Sequence, residues 1–137
     1  MKPSFWIALG ALLAGLSVAA GAVGAHGLKT RLQSDTGMSP SEVAWRLEVF
    51  EKAVRYQMYH AIALVLLGLI VARKATPCLT IAGASFVVGI ALFSGCLYAV
   101  ALGGPRKLVH VVPFGGVSYL VGWISLAVAA WRVGHDG

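Results

Sequence analysis

The sequence predicts an all-α membrane protein: a four-transmembrane-helix bundle with an amphipathic extension before the second span. Three observations lead there. The 137 residues are 58% hydrophobic and only 12% charged, whereas soluble domains carry about 25% charge, so the chain lacks the polar surface to cover itself against water. Its apolar residues gather into four runs, each near the roughly 20 residues a helix needs to cross a bilayer. The charged residues stand between and beside those runs. One integral membrane domain over 1–137 follows, with spans at about 4–25, 56–72, 79–102 and 110–131 and a loop plus interfacial helix over 27–55.

The formal charge is +6 and the pI about 9.8, with a mean hydropathy of +0.82. A nucleic-acid binder would cluster its cations on one face with aromatics interleaved. Here Lys and Arg flank apolar runs, which suits anionic headgroups and topology control. The expected partner is the lipid bilayer, and no nucleic acid is expected.

The first run, Ser4 to Ala25, has 22 residues and no charge. Ala20-Gly21-Ala22 offers a small-x-small cleavage site for a signal peptide, but the run is longer than a usual signal core and three more spans follow. A span is the better reading. Small residues recur every fourth position, Ala11, Gly15 and Ala19 on one track and Gly10, Ala14 and Ala22 beside it. Such tracks let helix backbones approach closely in lipid, and they leave a homo-oligomer open. Gly27 is the expected C-cap, with Lys29 and Arg31 at the negative helix end. No Gly-Lys-Ser/Thr follows, so the glycines are not a P-loop.

Residues 30 to 41 read as an exposed loop. Ser39-Pro40-Ser41-Glu42 reads as a helix start, with Ser39 as N-cap, Pro40 at N1 and Glu42 closing a capping box. A helical pattern then runs unbroken to Ala72. Its first part is amphipathic: Val43, Leu47, Phe50 and Val54 form one side, and Arg46, Glu48, Glu51, Lys52 and Arg55 the other. This part is expected to lie at or protrude from the interface and to become the second span near Tyr56.

Arg73 to Pro77 form a tight turn, and the third span runs from Cys78 or Leu79 to Leu102, with a small-residue track at Ala91, Gly95, Ala99 and Gly103. Cys78 and Cys96 are 18 residues apart on this helix, roughly 27 Å at 1.5 Å per residue, too far for a disulfide. After the turn Gly103 to Lys107 the fourth span either begins at Pro113, with 108–112 at the interface, or is a broken helix with freed carbonyls. The first reading is preferred. Trp123 sits mid-span, and its ring is expected to pack on the notch at Gly122.

Four spans place Lys2, Arg73, Lys74 and Arg132 on one side of the membrane. Lys29, Arg31, Arg46, Lys52, Arg55, Arg106 and Lys107 fall on the other, and seven cations against four make this loop side cytoplasmic.

The topology gathers polar residues at the loop end. His26 closes the first span, His60 opens the second, and His110 precedes the fourth. Ser94 and Tyr98 lie in the same half of the third. A polar pocket is therefore expected from His26, Tyr56, Gln57, His60, Ser94, Tyr98, Pro113, Gly115 and Gly116, with His26 the preferred partner of His60. Ionisable groups in a span need partners and are functional candidates. No H-x-x-x-H or C-x-x-C spacing occurs, so His26, His60 and His110 are weak metal candidates and no cofactor is implied. Ser94 and Cys96 have no carboxylate to orient a base, because all five acids lie in loops or in the soluble part of the second helix. Catalysis is not expected.

Gly24-Ala25-His26-Gly27, Phe50 with Tyr56-Gln57-x-x-His60-Ala61, Phe93-Ser94-Gly95-x-x-Tyr98, Pro113-x-Gly115-Gly116 and Gly122-Trp123 form an ordered set between residues 24 and 123, within a resemblance that covers about residues 5 to 131. The set resembles the small four-span membrane proteins of the bacterial "domain of unknown function 423" family, related to eukaryotic transmembrane protein 256. The resemblance implies a four-helix, multi-pass inner (plasma) membrane protein with no assigned activity. His26 and His60 fall on the family pattern, and His110 does not. The functional expectation is a non-enzymatic bundle with a polar pocket near one leaflet, either structural or open to an unidentified small ligand. The alternatives are a small transporter or channel subunit, and a metal- or haem-binding membrane protein.

Overall fold

The computed structural model describes residues 2–34 and 37–135, with side chains described as far as Arg132. Among the described residues every regular element is helical. Four helical rods are long and apolar enough to cross a membrane: Pro3–Ser34, Pro40–Val71, Pro77–Ala101 and Arg106–Arg132.

The first rod is α1, Pro3–Ala22, with Pro3 in its first turn. It does not stop at Gly27. It widens into a π-helical turn over Val23–Leu28 and continues as α2, Lys29–Ser34. The expected C-cap and the start of the expected loop are thus corrected. The wider turn rephases the helix so that Leu28 and Leu32 bury with Val43, Phe50, Ala53 and Leu97, a gain that stopping at Gly27 would forfeit. Gly27 keeps a helical φ, the left-handed φ belonging to Gly103 at +98°.

The second rod is α3, Pro40–Val71, a single helix capped at Ala72. The Ser39 hydroxyl accepts the Glu42 amide at 3.2 Å, as an N-cap should. The reciprocal half of the capping box does not form. The Glu42 carboxylate instead accepts Arg46 Nε at 2.9 Å and a second bond from Arg106. Two guanidiniums outcompete one backbone amide because both partners are charged.

After the turn, Thr76 caps α4, Pro77–Gly89, accepting the Leu79 amide at 3.4 Å. This rod also carries a π-helical turn, Ile90–Gly95, before α5, Cys96–Ala101. A 3-10 turn over Arg106–His110 then leads into α6, Val112–His135.

α3 and the α4–α5 rod are the inner helices. α1 packs along α3, and α6 along α4 and the second π-helical turn. Gly10 makes the first contact possible, since a Cβ there would stand 2.7 Å from the Ala61 carbonyl oxygen. Two hydrogen bonds stitch the same pair: Ser17 donates to the Val54 carbonyl at 2.7 Å and Gln57 to the Leu13 carbonyl at 2.8 Å. Of the small-residue tracks, Ala11, Gly15 and Ala19 face outward. One apolar core, around Trp6, Leu64, Leu67 and Phe86, fills the end near the termini. The other, around Leu28 and Phe50, fills the loop end.

Candidate functional site

Between the two cores stands His60, 4% exposed. Its Nδ1 lies 2.7 Å from the Tyr56 carbonyl oxygen one turn earlier. A carbonyl only accepts, so Nδ1 carries the hydrogen. Nε2 is then an acceptor, and Trp123 Nε1–H donates to it at 3.2 Å. Only the neutral, Nδ1-protonated tautomer satisfies both bonds. The Tyr119 ring lies flat on the imidazole, centroids 3.4 Å apart and 8° from parallel. The Phe86 ring closes a third side at 5.6 Å.

α6 supplies this cluster because Tyr119 and Trp123 are one helical turn apart and share a face. Its approach depends on Gly115, where a Cβ would come within 2.5 Å of the Phe93 backbone nitrogen and 2.8 Å of its Cβ. Ser94, in the second π-helical turn, and the Tyr119 hydroxyl are 3.5 Å apart, at the limit of a hydrogen bond. Tyr56 stacks on Phe93 at 4.6 Å. Beside this cluster, between α3 and α6, runs a groove of about 400 Å³ lined by Tyr56, Tyr59, His60, Gly116, Tyr119, Leu120 and Trp123. Half of the indole of Trp123 stays uncovered, at 44% exposure.

The sequence expectations divide here. His60, Tyr56 and Gly116 share the groove, with Ser94 just behind it against Tyr119. Gln57 turns the other way, to α1. His26 is exposed in the first π-helical turn, where its carbonyl accepts Thr30 Oγ1 at 2.8 Å, and is no partner of His60. His110 is exposed in the 3-10 turn, and Pro113 is exposed at the start of α6. Tyr98 packs edge-on to Phe50 at 5.1 Å, and its buried hydroxyl has no partner among the described residues. Among the described residues no three His, Cys, Asp or Glu side chains gather as metal ligands, so the three histidines do not converge.

Trp123 does not pack on Gly122. The Phe86 ring fills that notch, 2.6 Å from where a Cβ would be, and this turns the indole toward His60. Tyr119 was absent from the expected set. The spacing Gly115, Tyr119, Gly122, Trp123 marks one face of a helix and is the signal that would have found it.

Among the described residues outside the spans, the Glu42 carboxyl is clearly shifted. Hydrogen bonds from Arg46 and then Arg106 hold the Glu42 carboxyl below its usual range. The Arg106 guanidinium also lies over the Trp45 ring at 5.0 Å.

The family described as "Protein of unknown function (DUF423)" matches residues 20–116. Among curated relatives, a UPF0382 membrane protein of Staphylococcus haemolyticus is 40% identical over 129 residues, covering 93% of this chain and 95% of the relative. The UPF0382 membrane protein YwdK of Bacillus subtilis is 36% identical over 126 residues, covering 91% and 94%. A UPF0382 membrane protein of Haemophilus influenzae is 34% identical over 127 residues, covering 93% and 94%. No solved structure matches the chain. With the match spanning most of its length and four membrane-crossing helices in the fold, the chain belongs to the DUF423 family of bacterial membrane proteins of unknown function.

Proposed function

We propose that this protein is a non-enzymatic, multi-pass component of the bacterial inner (plasma) membrane that binds a lipid-soluble small molecule bearing a hydroxyl donor, taken laterally from the bilayer into the groove between α3 and α6. The observation that carries this reading is the bond from Trp123 to His60 Nε2. It places a neutral acceptor at the groove wall, covered by one partly exposed indole that a ligand would have to displace.

Depth supports the reading. A hydrocarbon core of about 30 Å takes about 20 residues of helix. Counted back from Val71, that length reaches Lys52, so His60 is close to the mid-plane. Trp123, eleven residues after Val112 and nine before Arg132, is at a matching level. A polar pair at that depth is expensive and is by default a functional candidate. A ligand hydroxyl would donate to Nε2 in place of the indole, while its apolar body would lie on Tyr59, Leu120 and Tyr56.

Purified protein in detergent, titrated with 4-nonylphenol, tests this. The phenol is expected to raise the melting temperature saturably and its methyl ether to do so far less, with the difference abolished in His60→Phe. Equal effects of phenol and ether, or none from either, would refute the reading.

A further inference from the structure

We infer a second site, separate from the His60 groove: a pocket at the loop end that takes the phosphate of an anionic phospholipid headgroup. It has a volume of about 200 Å³ and is lined by Leu28, Arg31, Leu32, Met38, Arg46 and Leu102. Among the described residues the lining carries two guanidiniums and no carboxylate. Arg31 projects from the short α2 helix that follows the first π-helical turn, a placement that exists only because the helix does not stop at Gly27. Arg46 is held from below: Glu42 takes its Nε at 2.9 Å, while one of its terminal nitrogens lies over Gly103, 3.4 Å from where a Cβ would be. Its guanidinium is therefore oriented by Glu42 through Nε. Glu42 cannot neutralise it fully, because the same carboxylate also accepts Arg106. Two arginines share one acid there, and Arg31 adds a third positive charge nearby.

The walls say which phosphate fits. Leu28 and Leu32 are buried, and Leu102, just past the end of α5, is 61% exposed on the outer surface. The pocket thus joins an apolar wall continuous with the lipid-facing surface to a pair of guanidiniums at the interface. Guanidinium forks match phosphate oxygens bidentately, and basic pockets between membrane helices at this level recognise anionic headgroups. A lipid phosphate meets both parts of the pocket, whereas free phosphate meets only the arginines.

The test uses the full chain in phosphatidylcholine nanodiscs, with fluorescent phosphatidylglycerol titrated in and inorganic phosphate as competitor. One saturable phosphatidylglycerol site per chain is expected, weakened at least tenfold by Arg31→Gln and largely kept by Arg31→Lys. Because Arg31 is exposed, the melting temperature of Arg31→Gln should be unchanged, which separates loss of the site from loss of the fold. Competition by millimolar phosphate would assign the site to the phosphate group alone, and its absence would assign it to the whole lipid; either supports a phosphate site. Non-saturable phosphatidylglycerol uptake, or uptake unaffected by Arg31→Gln, would overturn the inference.

Discussion

Tyr119 stacks on His60 with ring centroids 3.4 Å apart and planes within 8°, so α6 is joined to α3 through two rings. The contact predicts a sharp contrast between two substitutions. Tyr119→Phe keeps the stack and loses only a marginal 3.5 Å contact to Ser94, and is expected to cost less than about 1 kcal/mol. Tyr119→Ala opens a cavity beside a buried ring and is expected to cost about 3–5 kcal/mol. Thermal unfolding of both proteins in one detergent, followed by circular dichroism, checks the difference.

Trp123→Phe removes the donor to His60 Nε2 while leaving most of the ring. A buried acceptor without its partner costs about 1–3 kcal/mol, so a modest loss of stability is expected. Ligand binding should move the other way. With the competing indole N–H gone, 4-nonylphenol is expected to bind Trp123→Phe more tightly than the native protein. Weaker binding would show that the indole holds the ligand and does not mask the site.

Glycine positions give a second contrast. A Cβ at Gly115 would meet the Phe93 backbone, which cannot rotate away, whereas a Cβ at Gly15 would meet nothing within 4 Å. Gly115→Ala is expected to destabilise by about 1–3 kcal/mol through overpacking, and Gly15→Ala to leave the monomer fold unchanged. Gly15 nonetheless lies on the outward track with Ala11 and Ala19. If that track joins two copies, Gly15→Leu lowers the cross-linked dimer fraction without changing the fold.

Acid should loosen the loop end. Arg46 and Arg106 hold the folded Glu42 carboxyl below its usual value. The folded state therefore binds fewer protons than the unfolded one as pH drops through the ordinary carboxylate range near about 4.3. The stability Glu42 contributes is present above that range and is lost as pH falls through the depressed folded value. Exposure keeps the effect small. The melting temperature is expected to decline between about pH 5 and 3, and Glu42→Gln to flatten part of that decline.

Much of this fold is legible along the chain because apolar run length is a one-dimensional signal. The four rods and the Ser39-Pro40 helix start both rest on neighbouring residues. What the chain hides is rotation and rephasing. The π-helical turn at Val23–Leu28 is favoured by the burial of Leu28 and Leu32 against residues far along the chain, and no local pattern announces it. Gln57 and His60 are three residues apart, yet one faces α1 and the other α6. The topology suggests His26 as the partner of His60, but α1 passes Ala61 at Gly10 and Phe50 at Gly24, so His26 lies well beyond His60 along the bundle, and Tyr119 and Trp123 of α6 take its place. The bond from Arg106 to Glu42 crosses 64 residues of sequence, so the local capping-box pattern had a competitor that only the fold reveals.

The central claim is that His60 is a neutral acceptor, masked by Trp123, at the edge of a lipid-facing groove. Solid-state nitrogen NMR of ring-labelled His60 in lipid bilayers at neutral pH tests it most directly, with and without 4-nonylphenol. The account predicts a protonated Nδ1, an unprotonated Nε2, and an Nε2 resonance that shifts when the phenol is added. A protonated Nε2, or an Nε2 signal indifferent to the phenol at saturation, would contradict it.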